Sequence, residues 1–403
     1  MLLFTTTQAD SEFTANPASK WKPQRRGRRL LGWCLGALCV IGLASARAQA
    51  VDEAVNEQVV MIPKKGGFFS FELETTLYKP DGDGPFPIVL INHGKAPGDP
   101  RFQPRSRNSA IARFFLQRGY VVLMPMRQGF SKSTGSYIGG GCNIESNGLQ
   151  QAQDTQAALD WAVSQRWADK DQMLVMGQSH GGWTTLAFGT QSYPGVKGLV
   201  NFAGGLRQDG CVNWQGNLAN AARSYGQQAT LPSLWFYGDN DSFFPPDTFR
   251  PMFERYTAVG GQAQLVAFGN FGTDAHGMFG SRAGEPIWQP KVTAFMQSVG
   301  MPTAVTQARF GQAAAMTPSP AKTDFAALAD DAKVPHLKDS GRTAYKVFLS
   351  KPYPRAFAIA PNGAWGWADG GDDPLKRAQD NCNRNGRGQC KLYAVDDEVV
   401  WAP

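Results

Sequence analysis

The strongest constraint on the fold is an alternation. Eight short apolar runs, at residues 58–62, 69–77, 87–92, 120–125, 172–176, 196–202, 232–237 and 264–268, have the length and character of strands. Most are separated by segments with helical spacing, at 109–117, 149–164, 182–189, 214–225, 248–259 and 286–299. In 149–164, for example, Ala152, Ala157, Leu159, Ala162 and Val163 gather on one side of a 3.6-residue period. Strands joined through helices form right-handed βαβ units, which imply an α/β class: a mostly parallel sheet flanked by helices. No helix separates the first two runs, so that edge is expected to be antiparallel. The 45 Gly and 26 Pro follow no fixed period, and this excludes collagen-like and repeat architectures.

Beyond residue 300 the pattern changes. Residues 301–337 are rich in Ala, Thr, Pro and Lys, include Met316-Thr317-Pro318-Ser319-Pro320, and read as a linker with a short helix at 324–331. Residues 338–403 read as a small α+β domain: a strand at 355–360, a Gly/Trp turn segment at 362–371, a helix at 374–383 and strands within 391–401. A unit of this size has a thin core and usually needs a staple.

The net charge of +7 suggests a basic protein until its location is read. Residues 1–50 hold seven Lys/Arg against two acids, leaving only +2 for the remainder, so no nucleic-acid partner is expected. The early charges form a basic stretch, Gln24-Arg25-Arg26-Gly27-Arg28-Arg29, followed by an uncharged apolar run over residues 30–44 and the small-x-small triplet Ala48-Gln49-Ala50. This is the layout of a secretory signal peptide cut after Ala50, and the apolar run is short for a bilayer span of about 20 residues. The mature protein is therefore expected in the periplasm or medium, with a catalytic unit over residues 51–300.

Export changes the reading of the cysteines. Four lie outside the leader, Cys142, Cys211, Cys382 and Cys390, an even number suited to disulfides in an oxidising compartment. Of three connectivities, Cys142–Cys211 and Cys382–Cys390 keep each bond within one domain; the second would staple the C-terminal unit. With four histidines and no ligand spacing on a helix, no metal site is read.

Gly177-Gln178-Ser179-His180-Gly181 follows an apolar strand and precedes a helix. A sharp strand-to-helix turn puts the central Ser179 in a strained conformation, and side chains at Gly177 and Gly181 would collide across it. The serine oxygen then lies at a helix N-terminus, where amides and the dipole favour negative charge. A serine needs a base. His180 points away in such an elbow, and His93 and His336 lie upstream of it or in the linker region. His276 follows the last strand in a Gly-flanked loop, at the end of the sheet where such folds build their sites. Asp241, in Gly238-Asp239-Asn240-Asp241 after another strand, is chosen over Asp239 to orient the imidazole; Asp274 is too close in sequence to His276. For the oxyanion, the backbone amides of His180 and Lys95 are the candidate donors. The Lys95 side chain reads first as a solvated lysine, with a preference for acidic substrates as the alternative.

Together with Ile91-Asn92-His93-Gly94, Arg127-Gln128-Gly129-Phe130-Ser131-Lys132-Ser133 and Ala275-His276-Gly277, these motifs make residues 59–299 resemble an α/β-hydrolase. The nearest branch is that of dienelactone hydrolases and related esterases and peptidases. Dienelactone hydrolases use a cysteine nucleophile where this chain has Ser179, so the resemblance implies an ordinary serine esterase. It implies no cofactor. The 355–397 segment resembles a small domain appended to exported bacterial proteins.

The expected function is hydrolysis of small-molecule carboxylic esters through an acyl-enzyme. A peptidase or amidase of the same fold is the alternative within enzymes. Outside them stands an inactive scaffold whose C-terminal unit binds an envelope component. Trp183, Trp214, Phe130, Phe243 and Phe244 are candidates for an acyl pocket or for core.

Overall fold

The computed structural model describes residues 51–402 apart from 67–68, 140, 312–316, 352–353 and 370–372. The signal peptide expected over residues 1–50 lies outside the described residues.

Eight strands form one sheet in the order β1-β2-β4-β3-β5-β6-β7-β8. They are β1 (Glu57–Gly66), β2 (Phe69–Tyr78), β3 (Phe86–Asn92), β4 (Val121–Pro125), β5 (Ala168–Gln178), β6 (Val196–Phe202), β7 (Ser233–Tyr237) and β8 (Ala263–Ala267). As expected from the missing helix, β1 and β2 pair antiparallel, from Glu57 opposite Tyr78 to Gly66 opposite Phe69. β2 is also antiparallel to β4, while β4, β3 and β5 through β8 run parallel.

The helices cover both faces. Alternate residues of β3 show why: Ile88 and Leu90 enter the core under α2 (Ile144–Val163), α3 (His180–Phe188), α4 (Trp214–Gln228) and α5 (Pro246–Thr257). Val89 and Ile91 enter the opposite core under α1 (Ser109–Leu116) and α6 (Glu285–Ser298), where Trp288 and Phe115 are fully enclosed. A strand buried on both faces has to be continuously apolar, which is how these runs read in the sequence.

Two elements begin several residues earlier than the sequence indicates, β5 at Ala168 rather than 172 and the helix before it. α2 starts at Ile144 rather than near 149, capped by Asn143, whose Oδ1 accepts from the Ser146 amide at 2.9 Å. Gly148 lies inside the helix because a Cβ there would come within 2.3 Å of Tyr225 Oη. It is a contact residue between helices, not a loop end.

The C-terminal part builds a second sheet, antiparallel, in the order β10-β9-β11-β12: β9 (Arg355–Ile359), β10 (Trp365–Asp369), β11 (Lys391–Val395) and β12 (Glu398–Val399). Phe357 and Ile359 of β9 face α7 (Asp339–Leu349) through Tyr345 and Phe348. Ala356 and Ala358 face α8 (Pro374–Gly386), and these small residues let the helix lie close: a Cβ on Gly366 would stand 2.3 Å from the Cys382 amide nitrogen.

Three local expectations are corrected. The turn segment at 362–371 contains a strand, because Trp-Gly-Trp-Ala-Asp alternates large and small residues on the two faces. No helix forms at 324–331; the helical turn there is Asp331–Lys333. So short a helix is marginal in isolation, and this stretch bonds to the second unit instead: the Thr323 amide to Val399 O at 2.8 Å, and Leu328 O to Tyr345 Oη at 2.7 Å. Helix α7 is absent from the sequence reading; its apolar residues Ala344, Tyr345, Val347, Phe348 and Leu349 are confined to its second half, after the polar run Asp339-Ser340-Gly341-Arg342-Thr343. Upstream, Thr306 and Gln307 donate to Gln117 O, and Phe310 is buried beside α1.

Candidate active site

The chain runs outward from β3 to β4 on one side and to β5 on the other. A crevice opens at the carboxyl ends of such strands, where open α/β sheets bind ligands. The elbow after β5 and the loop after β3 meet at this point.

Ser179 lies at φ 58° and ψ −126°, a conformation that costs a non-glycine residue on the order of 1–3 kcal/mol. Its amide donates to Phe202 O at 2.9 Å, and its carbonyl accepts from Trp183 and Gly205 at 3.0 and 3.2 Å. The flanking glycines are required sterically. A Cβ on Gly177 would lie 2.2 Å from Gly181 O, and one on Gly181 would lie 2.1 Å from Asn92 O. Strained backbone, held on both sides and followed at once by α3, leaves Ser179 half-buried.

His276 and Asp241 come together from the loops after β8 and β7. His276 Nδ1 lies 3.1 and 3.0 Å from the two Asp241 carboxylate oxygens. Asp241 Oδ1 also accepts from the Phe243 and Phe244 amides at 2.8 and 2.9 Å, so the buried carboxylate is held by three N–H donors. Asp239 is exposed, and its amide caps Gly269 O. The His276 loop is tied to the elbow, since Gln178 Nε2 donates to His276 O at 3.0 Å. Ser179 Oγ makes no hydrogen bond among the described residues; such contacts commonly tighten only when substrate is bound.

Asp274 has a role that sequence reasoning missed. Its carboxylate accepts from the His276 amide at 2.9 Å and from the Ser242 amide and hydroxyl at 3.1 and 2.6 Å, bracing the two loops together. Two residues before a loop histidine, it carries the local signal of an Asx turn.

His180 is buried with Nε2 3.1 Å from Asn147 Oδ1, directed into the core. Lys95 Nζ turns back on its own loop, donating to Ala96 O and Gly98 O at 3.1 and 3.2 Å. Partial burial lowers its pKa, with Arg127 adding to the shift. The amides of His180 and Lys95 have no acceptor among the described residues. Of the five aromatic candidates, Trp183 and Phe130 are core. Phe243, 38% exposed, lies 4.5 Å from the His276 ring, with Phe244 at 5.8 Å. Trp214 packs at 6.5 Å on Phe244. Among the described residues no group of three or more His, Cys, Asp or Glu is placed to hold a metal ion.

Both disulfides have the expected connectivity. Cys142–Cys211 joins the loop after β4 to the loop after β6, and Cys382–Cys390 joins the end of α8 to the start of β11.

Sheet order and strand–turn–helix elbow define the class of the first unit: it has the α/β-hydrolase fold. Comparison with known proteins adds relatives. Residues 69–241 match the family model of X-Pro dipeptidyl-peptidase (S15 family), a span that contains Ser179 and Asp241 and ends before His276. A cocaine esterase of Rhodococcus sp. (strain MB1 Bresler) is 25% identical over 143 residues, 35% of this chain and 22% of that protein's length. The chain thus spans less than a quarter of that relative. Among solved structures, an esterase of Pyrococcus furiosus aligns with a TM-score of 0.47 at 14% identity, over 62% of this chain and 94% of that one. An acylaminoacyl peptidase of Pyrococcus horikoshii aligns with a TM-score of 0.46 at 16% identity, over 60% and 41%.

Proposed function

We propose that this protein is an exported serine hydrolase that cleaves small-molecule carboxylic esters. Ser179 is its nucleophile, His276 its general base, and Asp241 the group that orients the imidazole. The observation that carries this reading is the double contact from His276 Nδ1 to Asp241, in a loop bonded to the serine elbow through Gln178. With Nδ1–H donating to a carboxylate, Nε2 is the basic nitrogen and is free to take a proton.

In this mechanism His276 Nε2 removes the Ser179 hydroxyl proton as the oxygen attacks the ester carbonyl. The negative charge on the carbonyl oxygen is received by the amides of His180 and Lys95. Collapse breaks the ester bond, the alcohol leaves with the proton from His276, and the acyl group remains on Ser179. Water, deprotonated by His276, then releases the acid. Phe243 forms an apolar wall beside the imidazole, suited to an uncharged acyl or alcohol group.

The second reading, amide or peptide hydrolysis, is favoured by the match to a dipeptidyl-peptidase model. Paired substrates separate the two. We expect p-nitrophenyl esters of short acids to be hydrolysed and the corresponding p-nitroanilides to be poor substrates, with both rates lost in Ser179→Ala. Anilide turnover equal to or above ester turnover would overturn the ester assignment.

Cleavage after Ala50 delivers the chain to the periplasm or medium, in keeping with the two disulfides. The unit at 338–403 is proposed to hold the enzyme to an envelope component, with 51–300 as catalytic unit and 301–337 as linker. Deletion of residues 338–403 is expected to release the protein from the cell envelope fraction while ester hydrolysis persists. Unchanged retention would remove that role.

A further inference from the structure

Arg127 follows β4 and is 1% exposed, yet no carboxylate among the described residues bonds to it. Asp154, whose charge reaches it, uses Oδ1 on Lys64 at 2.5 Å and Oδ2 on the Gln128 amide at 2.8 Å. The guanidinium turns to the loop after β3 instead. Nη1 donates to His93 O, Nη2 donates to Gly94 O at 3.4 Å, and Nε has no acceptor. The Arg127 backbone amide donates to His93 Nε2 at 3.0 Å. A histidine that accepts at Nε2 carries its proton on Nδ1, and His93 Nδ1 lies 2.6 Å from Gly94 O. Gly94 O is therefore gripped twice.

The consequence follows from peptide geometry. The Gly94 carbonyl and the Lys95 N–H belong to one planar trans unit and point in opposite directions. Fixing the carbonyl toward His93 and Arg127 fixes the Lys95 amide away from them. Gly94 itself abuts the nucleophile, since a Cβ there would lie 3.3 Å from Ser179 Cβ and 2.8 Å from Gln178 Oε1. Burial of a cation without an ion-pair partner is costly to folding.

We infer that Arg127 is a positioning residue for the oxyanion site. It locks the Gly94–Lys95 peptide with its amide toward Ser179 and keeps a buried positive charge, bonded to no carboxylate, behind the oxygen that becomes negative. This rests on the serine hydrolase reading above. Burial pushes the guanidinium down to about 10, so it stays charged at neutral pH. Burial first and then the Arg127 charge hold His93 and His180 well below the ordinary histidine range, which keeps both neutral.

The test compares wild type, Arg127→Met and Arg127→Lys, each normalised by active-site titration with a fluorophosphonate. For p-nitrophenyl butyrate, Arg127→Met is expected to lower kcat about 10- to 100-fold with KM nearly unchanged, somewhat less than the loss of a whole oxyanion donor. A trifluoromethyl ketone, which forms a tetrahedral adduct with the serine, should bind more weakly by the same factor. Arg127→Lys should recover part of both. A merely structural residue would lower the titratable fraction and leave kcat per site and inhibitor affinity unchanged, and that result overturns the proposal. If Arg127→Met does not fold, Arg127→Gln takes its place: parallel losses in kcat and inhibitor affinity support the role, wild-type values overturn it. A wild-type enzyme inert to both ester and fluorophosphonate would instead defeat the hydrolase reading.

Discussion

At the residue scale, the parts of the site governed by sterics were legible and those governed by burial were not. Gly177 and Gly181 were readable because any side chain there collides across the elbow, and the distances of 2.2 and 2.1 Å from a Cβ to backbone oxygens bear this out. The contact between Asp241 and His276 was readable because the loops at the ends of parallel strands converge at one end of such a sheet. Arg127 was visible only as part of a motif, since a sequence does not reveal which arginine is enclosed or what its guanidinium grips. The same holds for Gln178, whose side chain ties elbow to histidine loop. Asp241 yields a sharp expectation. Asp241→Asn keeps the shape but offers an amide to Nδ1, which favours the wrong imidazole tautomer. We expect kcat for ester hydrolysis to fall about 10³- to 10⁴-fold, by analogy with the measured loss in a serine protease triad, with little change in thermal unfolding. A kcat within tenfold of wild type would show that Asp241 is not the orienting group.

At the element scale, the eight strands and six helices of the first unit were legible from their period, with boundaries displaced where a cap or a contact overrode it. The α2 start shows why: Gly148 reads as a break until the Tyr225 hydroxyl is seen to occupy the place of its side chain. In the second unit β10 and α7 were missed, because five alternating residues, and apolar positions confined to one half of an eleven-residue helix, carry too little periodic signal. The two disulfides act on loops of very different length. Cys142 and Cys211 are 69 residues apart and Cys382 and Cys390 only 8. On the chain-entropy account the first stabilises by about 4 kcal/mol and the second by about 2.5 kcal/mol. Replacing each pair by serine and measuring denaturant unfolding should therefore show the larger loss for Cys142/Cys211. That pair also joins two loops at the active-site end of the sheet, so its removal is expected to raise KM for esters more than removal of Cys382/Cys390. Equal effects on KM would show that the first disulfide does not shape the substrate site.

At the scale of the whole molecule, two buried histidines weaken the folded state in acid. His93 and His180 are held neutral in the folded protein by burial, well below the ordinary value of 6.5. Above that value neither state binds the proton, so there is no difference. Below it the unfolded chain takes up protons that the folded one refuses, and stability falls by up to about 1.4 kcal/mol per pH unit for each histidine. Denaturant midpoints should therefore decline from about pH 6.5 downward. A His180→Asn variant should show a shallower decline, and an identical slope would mean that His180 is protonated in the folded state. The whole molecule also joins a unit of α/β-hydrolase fold to a small stapled one. The proposed chemistry turns on Ser179 at the elbow. The most direct measurement treats residues 51–403, produced under oxidising conditions, with a fluorophosphonate probe beside Ser179→Ala, and locates the adduct by peptide mass spectrometry. The account predicts one adduct, on Ser179, absent from the variant. A folded protein with both disulfides formed and no adduct would contradict it.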